Sequence, residues 1–556
     1  MNNNESNFII SPQMFVLIAL FTLIWFGSLD FRPLIPSDEA RYAEIAREIF
    51  VTGDWITPRY NGYKYFEKPP LQMWATSTIF EIFGVGNWQA RLWSALTGFL
   101  TIIFVGVTSA KIFNPRVGWL SSIVLASSPM WIVAGHLSSL DIALSSFLSA
   151  ALCSLLLSQH SENANTRRNW IWLCWAFMAL AVLSKGLIGI VLPSLVLIFY
   201  CISIWDWKIL NQIRIVSGSL IFLAIAAPWF VLVSIKNPEF LEFFFIHEHF
   251  QRFAQNSHNR NAPIYFFIPL LLVGILPWVP QLPMAFMKAI KRNQNSHLAT
   301  RLLVCWAVVI FVFFSISSSK LPGYIIPIFP AVAILIAKYL DSIKYESFRT
   351  SWKFQTIFFA VLGLAGFYFL PDIDNQARPD EFDAYNEYAY WIAAALITII
   401  AFSLIALLKK TSSFQEKITT YACGFFLCSM ITGMGHETLD RASSGIDLAK
   451  QIRQTIPKGI NFYSIQTMDN TLPFYLGVTM TMVQNPYEFE FGIKQEPHLW
   501  VPTIEDFIIR WGKDSSAFAV MLPEQFSEFQ KKGLPMQEVG RDARRVVIKH
   551  PDIQAQ

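Results

Sequence analysis

The chain reads as a polytopic α-helical membrane protein of about thirteen spans, with juxtamembrane helices in its outer loops and a small α/β domain at its C-terminal end. Three observations predict this. Hydrophobic residues make up 54% of the 556 and charged residues only 15%, with 49 Phe and 19 Trp, which excludes a soluble globular protein. Runs such as Ile215 to Ile235 and Tyr390 to Leu408 reach the roughly 20 apolar residues that cross a bilayer. After about Gly435 the composition turns polar. The net charge of +4 is too small to imply a nucleic-acid partner.

Met14 to Phe26 lacks the basic region and cleavage site of a signal peptide, so it reads as a retained first span. The spans fall near 13–29, 88–111, 117–135, 140–159, 169–184, 187–205, 215–235, 263–287, 301–316, 323–340, 354–370, 388–408 and 418–435. Alternate connections carry the cations: Lys111 and Arg116, Arg167 and Arg168, Lys208 and Arg214, Lys291 and Arg292, Lys344 to Lys353, then Lys409 to Lys417. The positive-inside rule makes these loops cytoplasmic. The first loop (30–87), the Ser138–Asp141 corner, the 236–262 loop, the Lys320 loop and the C-terminus then share the outer side.

The first outer loop is a polar island. Ser37 suits an N-cap, and Asp38 and Glu39 suit the positive end of a helix near 37–50. Tyr42, Ile45, Ile49 and Phe50 recur at helical spacing, with Arg41, Glu44, Arg47 and Glu48 on the other face. This is a helix lying at a membrane surface. A second such helix, near 70–84, follows Glu67-Lys68-Pro69-Pro70. It is short and carries Gln72 and Glu81, and counting it as a span would move every basic loop outside.

The membrane part accordingly ends near 435, and 436–556 form an outer domain of about 120 residues. Its β-like runs are Asn461 to Ile465, Ala517 to Met521 and Arg545 to Ile548. The six cysteines sit in apolar runs without metal-ligand spacing and read as buried thiols.

The chemistry-bearing groups gather on the outer side. Asp141 enters a span otherwise free of charge, either as a functional acid or as a carboxylate held by the helix dipole. Lys185, at a tight turn, is a phosphate contact or a snorkelling lysine. Arg252, flanked by aromatics, offers a bidentate donor to a phosphate or meets lipid headgroups. His247 and His249 diverge on a helix and face one way only on an extended backbone. With Glu67 as a third ligand they would make a divalent site. Lys320 re-enters the membrane as a headgroup or phosphate contact, and Tyr324 lines a cavity or joins the aromatic belt. Polar groups do not run through the depth of the spans, which argues against a lipid-linked sugar flippase or transporter.

SDEARYAEIAREI, GDW, YFEKPP, SSLDIAL, LSKG, HEHFQRF and KLPGYIIP, in this order, resemble the polyprenyl-phosphate-sugar glycosyltransferases of the protein mannosyltransferase superfamily, and most closely the bacterial aminoarabinose transferases that modify lipid A. The resemblance covers about residues 13–340. It implies a transferase in the bacterial inner membrane, with its active site and C-terminal domain in the periplasm. The donor would be 4-amino-4-deoxy-L-arabinose on undecaprenyl phosphate and the acceptor a lipid A phosphate. A relative using another sugar, or a protein or glycolipid-core acceptor, is the alternative.

The resemblance assigns Asp38, with Glu39 beside it, and Asp141 as catalytic acids. It gives Lys68, Arg252 and Lys320 the carrier phosphate, and Arg41, Tyr42, Tyr324 and Lys185 the substrate cavity. Glu67 and His247 take a metal ion near that phosphate, zinc or magnesium, although no cofactor is strictly required. Pro70-Leu71 and Gly323 depart from close relatives. An anionic acceptor leaves Asp38 to hold the sugar amine or the transition state, whereas a hydroxyl acceptor makes it the general base.

Overall fold

The computed structural model describes residues 12–36, 38–251, 262–291, 297–369, 381–409, 413–457 and 459–551. In chain order its first half comprises α1 (Pro12–Gly27), α2 (Asp38–Thr52), the hairpin β1 (Arg59–Tyr60) and β2 (Tyr63–Lys64), α3 (Leu71–Phe83) and α4 (Asn87–Ile112). There follow α5 (Pro115–Ala126), α6 (Pro129–Gly135), α7 (Leu140–Gln159), α8 (Ala164–Lys185), α9 (Ile188–Ile204), the single turn α10 (Ile209–Gln212) and α11 (Ile215–Lys236).

Among the described residues, seven helical segments are long and apolar enough to cross a membrane: α4, α7, α11, His297–Ile316, Pro322–Asp341, Phe382–Leu408 and Phe414–Ser444. Two more helix pairs are apolar enough but sharply bent, the form of a broken span or a re-entrant loop. α5 and α6 meet at 67°, and Phe267–Gly274 meets Val279–Ile290 at 113°. At the first bend Pro129 has no amide to return to α5, so the ladder breaks there. Against the thirteen spans expected, seven segments among the described residues meet this measure, or nine if each bent pair is one span. The remaining expected positions coincide with α1, α8, α9 and Tyr345–Phe369, which are shorter or more polar helices. All six cysteines are free thiols, four of them buried.

α2 departs from expectation in an informative way. Its polar face does not meet water: Glu39, Glu44, Arg47 and Glu48 are buried. The hairpin and the C-terminal domain close over that face. Arg47 grips Glu44 with two hydrogen bonds of 2.7 and 2.6 Å, and Glu48 accepts the Gly62 amide at 2.9 Å. α3 packs beside α2.

The hairpin is an Asn61-Gly62 turn with both residues at positive φ (51° and 83°), the geometry that a two-residue turn between twisted strands requires. It is also the tie to the C-terminal domain. The Asn61 amide exchanges two hydrogen bonds with the Met480 backbone (2.7 and 2.6 Å), Arg59 pairs with Glu496 at 2.9 Å, and the Tyr60 hydroxyl donates to Asn470 Oδ1 at 2.7 Å.

That domain carries a six-stranded sheet: β3 (Phe462–Ile465), β4 (Thr481–Val483), β5 (Trp500–Val501), β6 (Phe518–Met521), β7 (Gln537–Arg541) and β8 (Val546–Lys549). The order is β5-β4-β3-β6-β8-β7. The first four strands are parallel, and β8 and β7 run antiparallel at one end. β3, β6 and β8 match the β-like runs in the sequence. Their burial on both faces is what makes them continuously apolar.

Candidate functional site

An open cleft of about 1290 Å³ lies at one end of the apolar helices. Four stretches supply its polar lining: the first turn of α2 (Asp38, Arg41, Tyr42), Glu67 and Lys68 before α3, Asp141 at the start of α7, and Lys185 at the end of α8. The loop after His297–Ile316 adds Ser317, Ser319 and Tyr324, and Leu144, Ile188, Phe313 and Phe314 make the apolar wall. Local rules place them. Asp38 opens α2 where its backbone amides are free, Pro69 and Pro70 hold Lys68 outside α3, and Gly186 at φ +97° ends α8 so that Lys185 faces the cleft.

Two ion clusters organise the cleft. Lys185 Nζ donates to Asp141 Oδ1 and stands 4.8 Å over the Tyr324 ring. A Cβ on Gly323 would lie 2.5 Å from Asp141 Oδ2, so any larger residue here would displace that carboxylate. Arg41 bridges the second cluster, 3.2 Å from Asp38 and 2.9 Å from Glu488. Burial alone would lower the Arg41 pKa, but the neighbouring tyrosines and both carboxylates outweigh it, so the guanidinium stays charged. Burial pushes the Tyr42 and Tyr65 phenols well above their ordinary value, so they act as neutral groups. The Asp38 side chain is 48% exposed to the cleft.

Lys68 Nζ donates to the Glu67 carbonyl at 2.9 Å and stands 3.9 Å from Glu67 Oε2. Among the described residues no three His, Cys, Asp or Glu side chains converge. Glu67 lines the cleft, while the side chain of His247 and all of Arg252 lie outside the described residues.

Two expected site residues are not in the cleft. Glu39 points away from it and is saturated by Arg91 (2.8 and 3.0 Å), Arg32 (3.0 Å) and the amides of Ile35 and Ser138, both at 3.0 Å. Burial raises its pKa, but Arg32 and Arg91 more than reverse this and hold the carboxyl far below the usual range. It is a structural anchor. Lys320 is buried and turns its ammonium onto the Ser317 carbonyl at 2.5 Å, although its neighbours Ser319 and Leu321 line the cleft. Conversely, Glu488 was not expected. It comes from the C-terminal domain, some 450 residues from Arg41, and no local pattern marks it.

Residues 11–247 match the profile of dolichyl-phosphate-mannose-protein mannosyltransferases, and residues 448–550 that of the aminoarabinose transferase C-terminal domain. A curated relative from Edwardsiella ictaluri, undecaprenyl phosphate-alpha-4-amino-4-deoxy-L-arabinose arabinosyl transferase, is 31% identical over 356 residues, 63% of each chain. The chain thus spans under two thirds of that relative's length in the match. The whole fold is similar to ArnT from Cupriavidus metallidurans bound to undecaprenyl phosphate, with TM-score 0.90 and 39% identity over 97% of this chain and 98% of that one. An Archaeoglobus fulgidus oligosaccharyltransferase shares the fold alone, at TM-score 0.53 and 14% identity over 91% of this chain and 70% of that one.

Proposed function

The chain belongs to the ArnT family of aminoarabinose transferases, and on that premise we propose that it moves 4-amino-4-deoxy-L-arabinose from undecaprenyl phosphate to a lipid A phosphate at the periplasmic face of the inner membrane. The observation that carries this reading is the meeting of Asp38, Arg41, Lys68 and Asp141 in one cleft, walled by apolar side chains, at the outer ends of the spans. On this reading the two bent pairs and the four shorter or more polar helices complete thirteen crossings. Residues 1–435 form the membrane unit, and 436–556 the periplasmic one.

In the reaction an acceptor phosphate oxygen attacks the anomeric carbon. The new C–O bond forms as the bond to the undecaprenyl phosphate oxygen breaks, and the electron pair leaves with that phosphate. Lys68, joined by Arg252, meets the developing charge in a partly dry site, where a fixed cation acts most strongly. A phosphate acceptor is already an anion and needs no base. Asp38, held by Arg41, is therefore assigned to the sugar amine or the cationic character of the transition state. Asp141 with Lys185 frames the opposite wall. A divalent ion at Glu67 and His247 would add charge neutralisation at the donor phosphate, and the roles above stand without it.

The test is mass spectrometry of lipid A from a strain lacking its own transferase, expressing either this protein or Asp38→Ala. A pentosamine on the phosphates with the intact protein, absent with Asp38→Ala at equal membrane levels, is the expected result. No addition by the intact, inserted protein overturns the assignment of sugar and acceptor.

A further inference from the structure

A second cleft, of about 1220 Å³, lies on the other side of α2, between the start of α4 and the helix Ile446–Ile452 of the C-terminal domain. At 100° per residue, Asp38, Arg41 and Tyr42 share one side of α2, and Arg47 and Val51 lie roughly opposite. The two clefts are therefore separate. Lys450 and Arg453 are exposed on this one and Arg47 is buried behind them, with Asp30 at the end of α1 on its rim.

Two features mark the cleft as built for a ligand. The N-terminus of the 26-residue α4 opens into it without a side-chain cap, so the first amides of a long helix are directed there. Gln89, 8% exposed, lines it with Oε1 unpartnered while Nε2 donates to the Phe83 carbonyl at 3.1 Å. Gly86 makes room for this arrangement, since a Cβ there would sit 2.4 Å from Gln89 Oε1. The site thus offers cations and amides for a phosphate, together with a buried acceptor and a carboxylate for a hydrogen-bond donor.

The surroundings say where that ligand comes from. Val51, Ile82, Phe83 and Val85 beside the cleft are 65, 66, 54 and 41% exposed, and Trp88 stands at the head of a membrane helix. Apolar side chains in this number at a juxtamembrane edge are covered by lipid, not water.

We propose that this second cleft binds the head group of an outer-leaflet phosphatidylethanolamine, its phosphate on Lys450, Arg453 and the α4 amides and its ammonium on Asp30 and Gln89 Oε1. The bound lipid seats the periplasmic domain against the bilayer beside α2.

The test is native mass spectrometry of the full chain in detergent, titrated with phosphatidylethanolamine, phosphatidylcholine, lipid A or inorganic phosphate. Phosphatidylethanolamine binding weakens about 10- to 30-fold in the double variant K450E/R453E, whose two sites are exposed and leave the fold intact. Phosphatidylcholine, which has no N–H to donate, binds more weakly than phosphatidylethanolamine, and Gln89→Leu abolishes that preference. Lys68→Ala leaves the binding unchanged. Equal binding by K450E/R453E, displacement by inorganic phosphate or lipid A, or an equal loss in Lys68→Ala would each overturn the proposal.

Discussion

Asp38 and Glu39 are adjacent in the chain and opposite in circumstance. Glu39 faces inward, where two arginines and two backbone amides occupy its oxygens, and Arg91 in turn spends its remaining donors on the carbonyls of Leu29, Arg32 and Pro33 at 2.7–2.8 Å. Arg32 extends the network to Asp440 at 3.2 Å. Asp38 faces the cleft with one ion pair and half its surface open. A saturated carboxylate fixes structure, and an unsaturated one is left for a ligand. A turn of 100° on α2 separates the two roles.

The largest effect is expected at the open member. Asp38→Asn lowers transfer at least about 100-fold with an unchanged melting temperature, measured by in vitro transfer on purified protein. If activity and stability fell together, the contrast with Glu39 would fail. Glu39→Gln should do the reverse, leaving Arg91 buried without its counter-charge and Arg32 with Asp440 alone, at about 3–5 kcal/mol of stability. Because the Glu39 carboxyl is held far below its ordinary 4.5, its contribution is present above pH 4.5 and is lost as the pH falls below that value. Acid unfolding of the wild type, set against a flatter profile in Glu39→Gln, checks this.

Gly323→Ala sharpens the comparison on the other wall. The added methyl meets Asp141 and costs about 1–3 kcal/mol of local strain. The expected reading is a fall in kcat with the protein still folded. The smallest effect concerns Glu48, buried like Glu39 but without a matched cation. Burial first, and Glu44 second, push its carboxyl up to about 8. A raised carboxyl favours the folded state while protonated, so stability is lost as the pH rises from 4.5 through about 8. Glu48→Gln removes that loss, and melting temperatures at pH 6 and 8.5 would reveal it.

Much of this was legible. Hydrophobic run length located the membrane helices, the acidic first turn located α2 and the Pro69-Pro70 pair located α3, because all are properties of contiguous sequence; Ser37, the expected cap, lies outside the described residues. Lys68, Asp141, Lys185 and Tyr324 were found because each is a polar group at the end of an apolar helix. The bends were hidden, since hydropathy does not register a change of direction. The burial of Glu44, Arg47 and Glu48 was hidden for a different reason. Amphipathic spacing shows that a helix has two faces, but not that a domain encoded 400 residues later covers the polar one. Glu488 belongs to the same class of long-range fact. Asn61-Gly62 is a hairpin signal in any sequence, but nothing local shows that this turn ties the two parts together.

That tie has a consequence for how the protein is made. Arg32 and Arg41 are synthesised early, yet Asp440 and Glu488 emerge only when most of the chain has left the ribosome. Until the C-terminal domain has folded onto the Asn61-Gly62 turn, Arg32 has Glu39 but not Asp440, and Arg41 has Asp38 but not Glu488. A chain stopped short of residue 488 keeps every side chain that lines the cleft and loses the second carboxylate that holds Arg41 in place.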